Sequence, residues 1–418
     1  MKLAVLTLGL ALLAAPALAG EAFDACAGLA ASKYEPGYED AGPLDLAGLD
    51  AYSAAEAVDA CAAALRDDPG SVQVKAWLGV AYASRLDYGK AVPLLEDAAG
   101  AGNVVALNTL GQLLILGKGV GQDRGRGTGL LRQAAEAGFA PAALGLAYSY
   151  EFGDGVAADP AQAFAWYLAA AKAGVRRAEV IVADRLQTGT GVARNDKTAF
   201  DWLAHAAKAG DAEGQYRLGL AYLEGRGSKA NAAKAYSNIK AASDQYYAPA
   251  MNGLGYLTEL GIGTKADPAA AAELYRNASG YNLAVAAYNL ARTDEAGSGG
   301  APDPVAARQG YLRAAQGGDR RAAVNLALML LKGEGGAPDV AGAVNWLQQA
   351  ADAGNAAGQN DLGRLYELGL GVDADATEAA SRCAVEKNSR WTMKPTVITV
   401  MTTANHGLAN QAMAGTAK

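Results

Sequence analysis

Ser237-Asn238-Ile239-Lys240 puts a lysine three residues after a serine, a spacing at which an amine can activate a hydroxyl for acyl transfer. Ser243-Asp244-Gln245 loosely echoes the second polar element of such a site. The third, Lys-Thr-Gly, is missing, and Lys197-Thr198-Ala199 is the nearest approach. A different chemistry is raised by FGDGVAADP, Phe152 to Pro160, where Gly153-Asp154-Gly155 looks like a loop that cradles a phosphate. No strand-like segment precedes it, and the chain lacks GxxxxGK[ST]. The two histidines, His205 and His406, offer neither a metal cluster nor a Ser-His-Asp set. Carboxylates are plentiful but scattered, as on a solvated face. The expectation is a protein with no catalytic residue, no metal ligand and no cofactor.

The elements that must position these residues are set by a repeat. Gly-x-Gly occurs at 117/119, 153/155, 189/191, 225/227, 261/263, 297/299, 333/335 and 369/371, always 36 residues apart. Six residues before each first glycine stands a small residue, such as Gly111, Ala147, Gly219 or Gly255, preceded by Leu or Val. Six residues after it comes Asp123, Asp159, Asn195, Asn231, Asp267, Asp303, Asp339 or Asp375. Apolar and small residues at three- and four-residue spacing make a first helix. The first glycine ends it, where a positive φ costs little without a Cβ. The Asp or Asn then caps a second helix, with Pro160, Pro268 and Pro304 at its first position. Gly153 and Gly155 are therefore connectors, not a phosphate site. Ser237 and Lys240 fall on a second helix of this kind.

The fullest copy of A-x-x-x-L-G-x-x-Y-x-x-G-x-G runs from Gly214 to Gly227, with Gly214 in the usual Ala position. These residues resemble the Sel-one-like repeat family, a longer-looped relative of the tetratricopeptide repeat. The resemblance covers about residues 104–385 and implies an all-α solenoid, a right-handed superhelix of eight 36-residue helix-turn-helix repeats. Trp77-Leu78-Gly79 and Ala98-Ala99 look like a shorter tetratricopeptide-like unit over 51–103. Repeat six departs most: Asp294 replaces the usual Tyr, and its first helix is expected to be short or distorted. Cys383 falls in phase with Leu131, Tyr167, Leu203 and Tyr275, as a core thiol of the last helix. Beyond it the period is lost, and 386–418 is expected to be disordered.

The ends of the chain speak to location. Lys2, the apolar run Leu3 to Leu13 and Ala17-Leu18-Ala19 form a signal peptide over 1–19, cut after Ala19. No later apolar run is long enough to span a membrane. With position 20 a glycine and not a cysteine, no lipid anchor is indicated, and a periplasmic or secreted protein is expected. Cys26, in the 20–50 segment, and Cys61 can pair in an oxidising compartment or remain two small buried thiols. A formal charge of −7, with both signs intermixed, argues against a nucleic-acid partner.

What remains is a surface. Counted from the small residue of each first helix, offsets −3, +1 and +4 share one face, opposite the core positions. By resemblance to tetratricopeptide arrays, that face lines a concave groove. It includes Asn108, Tyr148, Asp184, Tyr216, Asn252, Tyr256, Tyr288, Arg292, Asn360 and Arg364. Tyr216, Tyr256, Tyr288 and Arg292 are expected to form one aromatic patch with a cation beside it. These residue types carry energy at interfaces, although ordinary variation of an exposed helix face also accounts for them. The reading is a monomeric periplasmic adaptor or scaffold that holds a protein or peptide, in envelope assembly or signalling regulation. The alternative is a cell-wall glycan-binding module or a β-lactamase-like hydrolase.

Overall fold

The computed structural model describes residues 20–35, 37–38 and 51–383. The expected leader (1–19), the 386–418 tail and the side chain of Cys383 lie outside the described residues. Those described form helices and no strand. The chain divides into two compact units, residues 1–194 and 195–418.

The first unit holds α1 (Glu21–Ala30), α2 (Ala51–Asp67), α3 (Val72–Ser84), α4 (Tyr88–Gly100), α5 (Val104–Leu116), α6 (Arg124–Glu136), α7 (Ala140–Phe152), α8 (Pro160–Lys172) and α9 (Arg176–Thr188). The second holds α10 (Asp196–Lys208), α11 (Ala212–Glu224), α12 (Ala232–Ser243), α13 (Ala248–Leu260), α14 (Pro268–Gly280), α15 (Ala284–Ala296), α16 (Pro304–Gln316), α17 (Arg320–Lys332), α18 (Val340–Asp352), α19 (Ala356–Leu368) and α20 (Ala376–Cys383). Within each unit, helix hairpins stack on their neighbours in chain order, as in an α-solenoid.

Every repeat is punctuated the same way. The first helix stops at the residue before the first glycine, which takes a left-handed conformation with φ between 62° and 77°. The second helix opens on its Asp or Asn. The Asp123 carboxylate accepts from the Arg126 N–H at 2.9 Å, and Asn195, Asn231, Asp267, Asp303 and Asp339 repeat this. The capping residue also closes the loop, as the Asp159 N–H donates to the Tyr150 carbonyl at 2.8 Å.

The second glycine does something else. A Cβ on Gly155 would stand 2.1 Å from the Arg124 carbonyl oxygen, at the start of the preceding repeat's second helix. On Gly335 it would stand 2.1 Å from that of Pro304. This glycine is where one hairpin touches the one before it. Its counterpart Gly299 is the exception, meeting the Ala272 side chain without a left-handed φ.

Repeat six corrects the expectation placed on Asp294. α15 is a full 13 residues, as in its neighbours. The Asp294 carbonyl still accepts the Asp303 N–H at 2.8 Å, so the loop closes through backbone that no side chain alters. Burial holds the Asp294 carboxyl above its ordinary range, with Arg276 opposing that shift.

At the N-terminal end, a disulfide joins Cys26 on α1 to Cys61 on α2. Trp77 of α3 is fully buried beneath Phe23 and Tyr38, with ring centroids 5.5 and 5.0 Å away. Glu35 accepts from the Ser32 N–H at 2.8 Å and from the Trp77 indole N–H at 3.0 Å. Burial pushes its carboxyl above the ordinary range in spite of these donors. Phe23, Glu35 and Tyr38 thus cover the Trp77 side of α3.

Candidate partner-binding surface

The first helices carry the surface, and their three offsets differ. Offset −3 is chiefly a packing position. Asn108 is buried, Tyr216 is 1% exposed and Asn252 is 2% exposed. The covering groups come from the next repeat: Tyr247, just before α13, lies 5.7 Å from Tyr216, and Asn289 on α15 donates to the Asn252 side chain at 2.8 Å. Tyr216 therefore does not join the expected patch. Position −3 reads as groove on a single helix, but the next hairpin leans over it.

Offset +1 is half-buried or exposed except at Leu220, and the residues at +4 are half-buried or exposed. In the first unit Tyr148 is half-buried and accepts from the Arg177 guanidinium at 2.9 Å, while its ring meets Tyr167 edge-on. Asp184 is half-buried on α9, where its carbonyl accepts from the Thr188 hydroxyl. In the second unit Arg364 is exposed on α19, while Asn360 on α19 and Tyr288 on α15, both at −3, stay half-buried.

Three of the four expected patch residues do converge, on α13 and α15. Arg292 forks onto both oxygens of Glu259, at 2.7 and 2.6 Å. Tyr256 lies in the field of this pair; burial raises its hydroxyl pKa, Glu259 adds to the rise and Arg292 opposes it. Tyr288 sits beside Arg292, and on its ring stands the Arg321 guanidinium, 4.2 Å from the centroid. Arg321 is held in turn by Asp319 at 2.6 Å. Burial works against the charge of Arg292, but Glu259 outweighs it.

A further set of residues was not singled out from sequence. The Tyr275 hydroxyl of α14 donates to Glu259 at 2.8 Å, and the Tyr311 hydroxyl of α16 donates to Glu295 at 2.6 Å. In the first unit Tyr167 pairs with Glu151 in the same way, and Arg185 also reaches Glu151. Each glutamate is at +4, with its tyrosine 16 residues later in the same repeat. Repeats one, three, four and seven have Ile115, Gln187, Leu223 and Leu331 at +4, with Leu131, Leu203, Ile239 and Leu347 as partners. A buried hydroxyl needs an acceptor, so in these seven repeats the two positions change together, while repeat eight pairs Glu367 with Cys383. That covariation within one chain was the available signal.

The chemical lures resolve as surface. Ser237 and Lys240 are exposed on α12, and Lys240 is engaged by Asp244 at 2.7 Å. His205 is exposed on α10 with its ring 6.4 Å from Trp202. No group of three or more His, Cys, Asp or Glu close enough to hold a metal ion occurs among the described residues. An open depression of about 340 Å³ lies between α16, α17 and α18, lined by Leu312, Leu326, Leu330 and Trp346. Its polar groups serve the fold: Arg308 donates to the Ala337 carbonyl and Asp339 caps α18.

Stacked hairpins with an open row of variable side chains define a helical repeat scaffold of tetratricopeptide type. The Sel1 repeat matches at 104–139, 140–175, 177–211, 212–247, 248–279, 284–319, 320–355 and 356–381, and the chain belongs to that family. It is similar to a crystal structure of a protective antigen present in uropathogenic Escherichia coli strains, which displays an SLR fold. Identity is 25%, coverage 90% of this chain and 86% of that one, and the TM-score 0.53. A Sel1 repeat protein from Oxalobacter formigenes is also 25% identical, over 77% of this chain and 90% of that one, with a TM-score of 0.55. A search of curated proteins gave no match.

Proposed function

We propose that this scaffold is a non-enzymatic adaptor of the cell envelope that holds a protein or peptide against the exposed and half-buried side chains of α13, α15 and α17 in its second unit. The observation that carries the reading is the Tyr256, Tyr288, Arg292 and Arg321 constellation. Its rings are half-buried and its guanidiniums are fixed by Glu259 and Asp319. A partner meets groups whose rotamers are already set, which lowers the entropy lost on binding. Arg292 serves by framing this surface, since its fork is filled by Glu259 within the chain. Export, with the signal peptide removed after Ala19, is supported by the Cys26–Cys61 bridge, a bond that persists in oxidising compartments.

The test places a photo-crosslinking side chain at Tyr256 or, as a control, at Asn238 on α12, in cells producing the full chain. A discrete adduct with an envelope protein from Tyr256, absent from Asn238 and lost on Tyr288→Ala, is expected. Tyr288→Ala must leave the helical circular dichroism unchanged. Equal adducts from both sites would refute the reading. Capture of the chain by peptidoglycan in a Tyr288-independent manner would move the assignment to the glycan-binding alternative.

A further inference from the structure

The glutamate at +4 is the centre of a recurring arrangement, and its occupants differ among repeats. Around Glu151 the tyrosine Tyr167 is joined by Arg185 from the next repeat's first helix, α9. Around Glu259 the tyrosine Tyr275 is joined by Arg292 from the next repeat's first helix, α15. In both, a guanidinium reaches back across the boundary between hairpins. The carboxylates there are substantially covered, with side-chain exposures of 22% and 12%.

Glu295 has the tyrosine but not the arginine. Tyr311 donates to it at 2.6 Å, yet it makes no ion pair among the described residues, and it is exposed. The register explains why. The residue 36 places after Arg292 is Leu328, and the one 36 places after the Thr293 that matches Arg185 is Met329. Leu328 is 36% exposed, an apolar side chain on the solvent side of α17, where the previous repeat carries a cation. The cations of α17 are engaged: Arg320 by the Ala353 carbonyl, Arg321 by Asp319 and Tyr288, and Lys332 by Glu334 at 3.5 Å.

We propose that Glu295 is the acceptor for an arginine of the bound partner. That side chain would enter the groove between α15 and α17, lay its aliphatic stem along Leu328 and place its guanidinium where Arg185 and Arg292 stand in the other two sets. The chain thus carries two worked examples of the ligand it lacks at the third place. The inference rests on the groove reading above and adds the partner's chemistry: a peptide or protein segment with an exposed arginine beside an apolar residue. A carboxylate already oriented by a tyrosine hydroxyl accepts a charge-assisted pair without reorganising.

The full chain, immobilised, is panned against a random-peptide phage library, and enriched peptides are then synthesised and titrated. Arginine beside an apolar residue is expected in the consensus. Affinity is expected to fall by about tenfold or more on Glu295→Gln, and on replacing that arginine in the peptide. Leu328→Arg supplies the missing guanidinium from within and is expected to abolish binding while raising thermal stability, which simple disruption would not do. Peptides that bind in a Tyr288-dependent way, without a basic residue and indifferent to Glu295→Gln, would overturn this inference and leave the groove reading standing. Peptides indifferent to Tyr288→Ala, or no enrichment, would overturn both. If the unliganded chain is a dimer by light scattering and Glu295→Gln dissociates it, the arginine belongs to a second copy and the separate partner is excluded.

Discussion

Arg292 illustrates how a side chain changes meaning once its neighbours are known. As a residue type at an exposed helical offset it reads as a cation waiting for a partner. In place, it is forked onto Glu259, whose side chain is 12% exposed and also receives the Tyr275 hydroxyl. Removing the guanidinium leaves a covered carboxylate with a single donor. Arg292→Ala is therefore expected to lower stability by about 1–3 kcal/mol. Adding Glu259→Gln should recover part of that loss, a coupling readable in a double-mutant denaturation cycle. Additive losses would show the pair to be energetically independent. The same contrast limits what could be read of the surface. Tyr256 and Arg292 were legible because type and the +1 offset suffice to place them on an open face, whereas at −3 the offset alone does not separate the half-buried Tyr288 from the covered Tyr216. Tyr216 was not, because its burial depends on Tyr247, 31 residues later and in the next hairpin.

The helices and turns were the most legible part of the molecule, because their signals are local. An Asp or Asn followed by proline or a helix former marks a start, and a glycine with no Cβ penalty marks a stop; neither depends on contacts elsewhere. The two glycines of each loop looked equivalent in sequence, and the structure separates them. A Cβ on Gly153 finds ordinary contacts at 3.6 Å, whereas on Gly155 it collides with the Arg124 carbonyl at 2.1 Å. Both residues have positive φ, so both alanine variants carry the left-handed cost of roughly 1–2 kcal/mol. Gly155→Ala must in addition push two hairpins apart, adding about 1–3 kcal/mol of overpacking. Urea midpoints of the two variants should differ accordingly, with Gly155→Ala the lower. Equal midpoints would mean that the loop gives way without disturbing its neighbour. Asp294 shows the converse: one unusual side chain leaves α15 unchanged because the backbone frame of the loop does not involve it.

At the scale of the whole chain, the division at Arg194 and Asn195 falls inside the third repeat and leaves no mark on the 36-residue period. Periodicity reports what is common to the hairpins, not which interfaces are tighter. In a stack of this kind stability is close to a sum of neighbour terms, so a local change stays local. The Cys26–Cys61 bridge, whose ends are separated by 35 in sequence, is expected to contribute roughly 3 to 4 kcal/mol by limiting the unfolded chain. Reduction, or Cys26→Ser, should accelerate amide exchange in α1 to α4 and leave α13 to α18 unaffected. Uniform acceleration throughout would show a cooperative molecule instead. One feature of the loops also gives the stack a direction in time. Gly155, Gly191, Gly263 and Gly335 each rest on a helix start that lies earlier in the chain. A chain that enters its compartment N-terminus first presents that earlier helix first, so each such loop emerges facing a finished seat. Assembly can keep pace with delivery, one hairpin at a time, with the newest apolar edge waiting for the next hairpin to cover it.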